Sequence, residues 1–553
     1  MSRTGLNNFP VFSLTEIAGK CRFQLIAIGC WTNLRGSRHD RGCIVIDHKI
    51  RKTKRIKFQT ALLLLCIFAN LSLVAADDLE DARKAYIKGD FKTAYGLFFR
   101  AAGQNSASAQ FNLGLMYDKG HGVLQDYKEA IKWYRLAAGQ GLADAQFNLG
   151  LMYDKGHGVL QDYKEAAKWH RLASGQGLAD AQFSLGAKYA RGEGVSQDYK
   201  EAVKWYRLAA GQGLADAQFS LGLMYAKGEG VLQDYKEAIK WYRLAASQAF
   251  AMAQSSLGVM YHQGRGVSQD YKEAVKWFRL AADHGNADAQ FNLGVMYHEG
   301  QGVPQDDNEA IKWYRLAAGK GNAYAQFNLG IIYANGEGVL QDYKEAIMWY
   351  RLAADQGNAD AQFNLGLMFK KGQGVLQDYK ETVKWLRLAA DQGNADAQFN
   401  LGVMYARGEG VLQDYEEAVK WYRLAAGQGL AMAEGNLGLM YHQGRGVSQD
   451  YGEALNWFRL AADQGISDAQ FNLGVMYANG EGVPQDYKGA VKWFRLAADQ
   501  GLSGAKCILS ELYATGAGVN KDISIAKKLA KEGLETGGNY CKEVWEKYNL
   551  ANY

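Results

Sequence analysis

Proline is scarce in this sequence, with only Pro10, Pro304 and Pro484 among 553 residues. Proline removes a backbone N–H and interrupts a helix interior, so a chain with so little of it can continue regular structure for long stretches. Apolar residues make up 48% of the chain and charged residues 22%, values typical of soluble globular proteins. The composition therefore suits a nearly all-helical chain.

Cysteine is also scarce in the long central and C-terminal part of the chain. Between residues 109 and 540 the sequence holds Cys507 alone, and Cys541 follows directly. A repeated framework of disulfides is therefore excluded for this part of the chain. A disulfide between Cys507 and Cys541 is possible but undecided at this point. It requires that the two helices that carry them are neighbours and that the Cα atoms lie less than about 7 Å apart.

Residues 77–553 have no excess of positive charge. Residues 1–76 carry 12 Lys/Arg and 3 Asp/Glu, whereas residues 77–553 carry 51 basic and 55 acidic residues. The formal net charge of +5 thus comes from the N-terminal part. Because nucleic-acid binding depends on neutralising phosphates with Lys and Arg, the sequence predicts no nucleic-acid partner.

Residues 56–76 have the layout of a signal peptide. A basic cluster from Lys49 to Lys57 leads into this segment, the mostly apolar run 61–74 follows, and Ala75-Ala76 stands before acidic residues. The 14-residue run is too short to span a membrane comfortably, so no integral membrane span is expected in the mature chain. The prediction is export to the periplasm or the exterior, or to the endoplasmic-reticulum lumen in a eukaryote; an uncleaved buried helix is the alternative.

Residues 1–55 form an N-terminal extension ahead of this segment. A signal peptide normally begins at the N-terminus, and no methionine occurs between Met1 and Met116. Two explanations stay open: the true start lies further along, at a codon other than that of methionine, or the extension is a genuine targeting segment.

A 36-residue unit fills most of the chain. Residues 109–144 are followed by near-copies that start at Ala145 and continue without insertion or deletion to residue 540, giving twelve copies. They are numbered here repeat 1 to repeat 12. A fixed period of this length indicates stacked supersecondary units.

The first half of each repeat predicts a helix, called helix A. In repeat 1, Ala109, Leu113, Met116 and Tyr117 lie at i, i+4, i+7 and i+8, the spacing of one apolar face. Gly114 lies inside this helix and recurs in eleven copies, although glycine costs up to about 1 kcal/mol there relative to alanine. Close approach of a neighbouring helix backbone is the predicted reason.

A turn and a helix start follow. Gly120 and Gly122 recur in all twelve copies, as expected for a helix stop with positive φ. Asp126 also recurs in every copy, with Glu129 three residues later in ten. This spacing predicts a capping box at the start of a second helix, called helix B.

Helix B carries its own apolar positions. Ala130, Trp133, Leu136 and Ala137 are assigned to one buried face, and Gly141 ends the helix. The tryptophan recurs in eleven copies. A stacking platform for sugars or bases is one interpretation of that row; a place in the core is the favoured one.

The recurring pattern A-x3-L-G-x2-Y-x2-G-x-G-V-x2-D-x3-A-x2-W-x3-A-A-x2-G resembles the Sel1-like repeat, a relative of the tetratricopeptide repeat. The resemblance covers residues 109–540. It implies an all-α fold, an α-solenoid with a right-handed superhelix of twelve helix–turn–helix repeats. Residues 77–108 are then expected to form an N-terminal capping half-repeat, and residues 541–553 a C-terminal capping helix, because exposed solenoid ends need polar caps.

The resemblance implies a role in assembling complexes, and we expect a scaffold or adaptor that binds protein or peptide partners. We expect no enzymatic activity, cofactor or metal, and a monomeric chain. A cell-wall or carbohydrate-binding module is the alternative, and a β-lactam hydrolase is a weaker one. The last rests on Ser503-x-x-Lys506 and Ser524-x-x-Lys527, whose companion motifs are missing. Histidines such as His262, His298 and His442 show no convergent metal-ligand pattern.

The partner-binding surface is predicted along helix A. Phe111, Leu115 and Asp118 form a second stripe beside the buried one, and the resemblance places it on the concave face. The alternative is that these rings pack on the next repeat and line nothing. Nine copies have phenylalanine at the first position: Phe111, Phe147, Phe183, Phe219, Phe291, Phe327, Phe363, Phe399 and Phe471.

Overall fold

The structure is a computed structural model that describes residues 78–552. Within that range the chain forms α-helices and one short 3-10 helix, and no β-strand. The predictions for the extension 1–55 and the signal peptide 56–76 lie outside the described residues. The chain divides into two units, residues 1–145 and 146–553, and each is described by itself.

The first unit contains an N-terminal helix pair followed by repeat 1. One helix covers 78–87 and the next Phe91–Gly103; Ala82 and Phe98 are fully buried between them and repeat 1. These helices occupy the region predicted as the N-terminal cap. Helix A of repeat 1 is Ala107–Lys119 and helix B is Tyr127–Gly139.

The second unit continues the alternation of 13-residue helices. Helix Ala143–Lys155 runs across the boundary between the two units. The further A helices are Ala179–Arg191, Ala215–Lys227, Ala251–Gln263, Ala287–Glu299, Ala323–Asn335, Ala359–Lys371, Ala395–Arg407, Ala431–Gln443, Ser467–Asn479 and Ser503–Thr515. The B helices are Tyr163–Gly175, Tyr199–Gly211, Tyr235–Ser247, Tyr271–Asp283, Asp307–Gly319, Tyr343–Asp355, Tyr379–Asp391, Tyr415–Gly427, Tyr451–Asp463, Tyr487–Asp499 and Ile523–Glu535. The chain ends in helix Asn539–Lys547 and the 3-10 turn Leu550–Asn552. Tandem helix–turn–helix units of this kind define an α-solenoid fold class.

Repeat 4 illustrates the turn between the two helices. Gly228 ends helix A with φ of 76° and donates its N–H to the carbonyl of Met224. Asp234 starts helix B, where its carboxylate accepts from the N–H groups of Lys236 and Glu237 at 2.9 and 3.0 Å. Only half of the predicted capping box forms, because the N–H of Asp234 donates to the carbonyl of Tyr225 and the side chain of Glu237 pairs with Lys240.

The core differs from the predicted face of helix B. Ala130 and Ala137 are fully buried as expected, but Leu136 is 52% exposed and Trp133 is half-buried. The fully buried large side chain is Tyr134, which the sequence interpretation overlooked. The face is rotated by about 100°, one residue, from the predicted one, so the leucine prediction was wrong.

The glycine inside helix A makes room for that buried ring. A Cβ added at Gly114 would lie 2.5 Å from Cδ1 of Tyr134, closer than two carbon atoms can approach. The close neighbour is therefore an aromatic side chain of helix B, and not a helix backbone as predicted. In repeat 12 both partners change together: Ser510 replaces the glycine and Ala530 replaces the ring, and both are fully buried.

Candidate partner-binding surface

The predicted binding stripe lies on the partly exposed side of helix A. We call the residues aligned with Phe111, Leu115 and Asp118 the A-face. In repeat 7 these are Phe327, Ile331 and Ala334, and all three are half-buried. The neighbouring positions 325 and 329 are fully buried, so the amphipathic pattern of helix A fixes which residues form the A-face.

The phenylalanines of the A-face are anchored by rings of helix B. The centroid of Phe327 lies 5.9 Å from that of Tyr350, and Phe219 lies 5.7 Å from Tyr242. Some also reach forward to the start of the next helix A, as Phe291 does to Tyr324 at 5.9 Å. Eight of the nine phenylalanines have such a ring behind them, whereas Phe363 packs on the cluster that contains Leu386. Part of each phenylalanine remains accessible. The rings therefore pack on helix B and also keep accessible surface, and their role in binding a partner stays a prediction.

The row of phenylalanines is interrupted twice. Ser255 and Gly435 take the place of the ring in repeats 5 and 10. A Cβ on Gly435 would meet one neighbour, Ala461, at an ordinary 3.8 Å, so the glycine leaves open space. Helices form at both interruptions, which shows that a repeat folds without this ring.

A small cavity lies beside the first interruption. It measures about 140 Å³ and is lined in part by Phe278, His262 and Asn292. Phe278 stands where six of the twelve repeats have tyrosine. In repeat 6 burial raises the pKa of the aligned Tyr314 to about 12, and an interaction of its hydroxyl with Asn328 of the next repeat opposes that shift. Phe278 brings no hydroxyl to the space next to Asn292.

A row of buried glutamines links consecutive repeats, and the sequence interpretation missed it. The side chain of Gln218 donates to the carbonyl of Ala210 at 3.3 Å and accepts from Gln248 at 2.9 Å. The former contact joins helix A to the preceding helix B, and the latter joins it to the end of its own helix B. Recurrence of the dipeptide Ala-Gln at the start of helix A was the available signal.

Repeat 10 has Glu434 in place of the glutamine. Gln464 donates to its carboxylate at 2.8 Å. Burial raises the pKa of Glu434, and the hydrogen bond from Gln464 opposes that shift. A charged group therefore occupies a position where every other repeat from 1 to 11 has a neutral amide.

A second buried polar group joins repeats 2 and 3. His170 is fully buried in place of the core tyrosine, and Lys188 is 3% exposed in place of the core methionine. Both contact Asp154: His170 Nε2 donates to Oδ2 at 2.8 Å, and the ammonium of Lys188 pairs with Oδ1. Burial would raise the pKa of Asp154, but the hydrogen bonds from His170 and Lys188 outweigh it and lower the pKa.

The remaining candidates for chemistry are engaged elsewhere. Lys506 pairs with Glu532 at 3.1 Å, and Lys527 donates to the carbonyl of Ala551 at 3.4 Å, so neither lysine contacts the serine of its motif. His298 pairs with Asp307 at 2.9 Å. Within residues 78–552 no group of three or more metal-ligating side chains converges.

The tryptophan row offers little surface for stacking. In repeats 1 to 7 and in repeat 9 the indole N–H is buried without an acceptor, and Trp385 of repeat 8 is 6% exposed. Trp457 donates to Glu453 four residues earlier. A sugar-binding platform needs an accessible ring with a free polar edge, which this row does not offer. Rings such as Trp133 and Trp313 are half-buried, so the row lies at the margin of the core and not fully within it.

The C-terminal cysteines are joined. The structure places the Cα atoms of Cys507 and Cys541 4.6 Å apart in a disulfide, the outcome that the sequence left open. Both sulfurs are buried between helix A of repeat 12 and helix Asn539–Lys547. In the described part of the chain, no helix is both long enough and apolar enough to cross a membrane.

Comparison with known families and structures supports the repeat assignment. The family described as Sel1 repeat matches twelve consecutive segments. They are residues 107–142, 143–178, 179–214, 215–250, 251–286, 287–322, 323–358, 359–394, 395–430, 431–466, 467–502 and 503–535. No curated protein matches the chain.

Among solved structures, a protective antigen present in uropathogenic Escherichia coli strains, which displays an SLR fold, is 37% identical with a TM-score of 0.61. The match covers 82% of this chain and 97% of that one. A Sel1 repeat protein from Oxalobacter formigenes is also 37% identical, with a TM-score of 0.43, over 56% of this chain and 89% of its own. Because the Sel1 repeat model matches twelve consecutive segments that together cover more than half of the chain, the chain belongs to the Sel1-repeat family.

Proposed function

We propose that this chain is an exported, non-enzymatic scaffold that binds protein or peptide partners along the A-face. The observation that carries the proposal is the recurrence, in nine of the twelve repeats, of a half-exposed phenylalanine that is held in place by a buried side chain of helix B. Aromatic side chains supply much of the binding energy in protein interfaces. A row of them at regular spacing suits an extended or helical peptide.

Export is supported by the C-terminal disulfide. Structural disulfides persist in oxidising compartments and are rare in the cytosol, and Cys507 and Cys541 are placed for one. The similarity to a protective antigen of uropathogenic Escherichia coli agrees with this location, because an antigen that protects has to be encountered by the host.

The binding test uses a peptide-display library selected on the immobilised chain, followed by affinity measurement for the enriched peptides. The variant F327S/F363S removes two adjacent rings of the A-face. It copies Ser255, which repeat 5 already carries at this position, so folding is expected to persist. We expect the affinity of A-face peptides to fall at least about tenfold.

The matched control is L352S/L388S. These leucines lie on helix B of the same two repeats and are 43% and 42% exposed, so the control removes similar apolar area from another face. Helicity by circular dichroism is measured for all three proteins. Equal affinities of F327S/F363S and the parent chain, or equal losses in both variants, contradict the proposal.

A further inference from the structure

The junction of repeats 11 and 12 contains an open recess of about 570 Å³. Lys488 and Arg495 of helix B in repeat 11 form one side of it. The turn and first residues of helix B in repeat 12 form the other, including Lys521, Asp522 and Ile525. Three cationic side chains therefore surround the recess together with a single acidic one.

The corresponding positions at the other junctions between repeats carry no net positive charge. Between repeats 3 and 4 they are Lys200, Arg207, Asp234 and Glu237, two cations and two anions. Two exchanges produce the difference in repeat 12. A lysine at 521 replaces a glutamine that the eleven other repeats have, and an isoleucine at 525 replaces a glutamate that ten have.

The cations of this recess lack carboxylate partners in the described chain. Arg495 donates to the hydroxyl of Tyr513 at 2.6 Å, and no ion pair involves Lys488 or Lys521 within residues 78–552. The carboxylate of Asp522 is occupied in capping, since it accepts from the N–H of Ile525 at 3.0 Å. An anionic group entering the recess would meet three unpaired cations.

Lys521 also lacks one of the hydrogen-bond acceptors that the aligned glutamine has in most other repeats. In repeat 4 the aligned Gln233 bridges the carbonyl of Ala226 and the hydroxyl of Tyr235 at 2.9 and 3.0 Å. In repeat 12 the tyrosine is replaced by Ile523, which offers no acceptor. Lys521 is exposed, so its ammonium is available to a ligand.

We propose that this recess binds carboxylate side chains of an acidic peptide segment. Arg and Lys are the natural partners of carboxylates, and the apolar side chains of Val519 and Ile525 at the wall suit the methylene groups of glutamate. The site is distinct from the A-face, but it deepens the proposed function of peptide binding and rests on it. It predicts partners that carry a run of acidic residues.

The test measures binding of a rhodamine-labelled hexaglutamate peptide to the full chain by fluorescence anisotropy, with hexaglutamine as the neutral probe. We expect hexaglutamate to bind more tightly and to lose affinity as salt is raised, because exposed charges are screened. The variant K521Q/I525E restores the residues of the other repeats and is expected to weaken hexaglutamate binding about tenfold or more.

The control K236Q/K272Q changes the net charge by the same amount at two exposed lysines of repeats 4 and 5, and it should bind as the parent chain does. Equal binding of the two probes, equal loss in both variants, or displacement of the peptide by inorganic phosphate at equal concentration overturns the proposal. F327S/F363S should leave hexaglutamate binding intact, and K521Q/I525E should leave A-face peptides bound, so failure of one proposal is distinguishable from failure of the other.

Discussion

The ring of Tyr242 occupies the space in which a side chain on residue 222 would lie. A Cβ added at Gly222 would be 2.7 Å from both Cδ1 and Cε1 of that ring. The same relationship recurs between Gly402 and Tyr422 at 2.7 Å. In repeat 12 the pair becomes Ser510 and Ala530, and the serine hydroxyl donates to the carbonyl of Ala526 at 2.7 Å. A larger side chain on helix A is therefore accompanied by a smaller one at the facing position of helix B.

This pairing predicts strong coupling between residues 222 and 242. Gly222→Ser should destabilise by about 1–3 kcal/mol through overpacking, and Tyr242→Ala by about 3–5 kcal/mol through the cavity. The double variant copies repeat 12 and should cost clearly less than the sum of the two. Urea unfolding of the four proteins measures this; additive losses would show that ring and glycine do not share one space.

The burial of Glu434 predicts that its replacement by glutamine stabilises the chain to an extent that depends on pH. Burial raises its pKa in the folded chain, so its favourable contribution is present below the ordinary pKa of 4.5 and is lost as pH rises through the folded pKa. Glu434→Gln should therefore stabilise the chain at pH 7 by about 1 kcal/mol, and the gain should vanish in acid. Thermal unfolding across pH 4–7 (roughly the range in which a glutamate with a raised pKa titrates) checks it, with Gln398→Glu as the reciprocal variant. A gain that is independent of pH would assign the effect to packing.

Asp154 predicts the opposite pH dependence. Its pKa is lowered in the folded chain, so its contribution is present above the ordinary pKa of 3.8 and is lost as pH falls through the folded value. Asp154→Asn leaves the buried Lys188 without its counter-charge and should cost about 3–5 kcal/mol at pH 7.

The control for that variant restores the neighbours of Asp154 to the residues of repeat 1. In the background H170Y/K188M the substitution Asp154→Asn should cost less than about 1 kcal/mol, since no buried charge remains to be paired. Equal costs in the two backgrounds, measured by urea unfolding, would contradict a coupled ionic group.

The cavity beside Phe278 predicts that a tyrosine at this position can be accommodated, with its hydroxyl in the empty space. Phe278→Tyr should place its hydroxyl near Asn292, as Tyr314 does near Asn328, and raise stability by about 0.5–1.5 kcal/mol. The reciprocal Tyr314→Phe should lose a similar amount. A lower urea midpoint for Phe278→Tyr would mean that the cavity cannot accept the oxygen.

The export proposal predicts a defined mature protein. Mass-spectrometric mapping should find an N-terminus near Asp77, and thiol titration of the denatured, unreduced chain should find neither Cys507 nor Cys541 free. Replacing both cysteines with serine should destabilise the C-terminal repeat by about 2–4 kcal/mol, because the bond restricts the unfolded chain. Peptides from residues 1–60 in the mature protein would contradict export by this segment.

Sequence by itself determined the period, the helix boundaries and the turns of this protein. These follow from local chemistry: Gly228 adopts a positive φ that other residues avoid, and Asp234 caps the helix that follows it. Such interactions lie within one repeat and recur in all twelve copies, so they can be recognised from the sequence.

Tertiary structure alone decided which residues fill the core and which charges meet. Trp313 and Tyr314 are adjacent and both aromatic, yet the tyrosine is 1% exposed and the tryptophan is half-buried, because the facing glycine admits one ring and not the other. Asp154 and Lys188 lie 34 residues apart, and the cations of Lys488 and Lys521 share one recess. These relationships depend on how one helix docks against the next, and a periodicity of 3.6 residues does not specify that rotation.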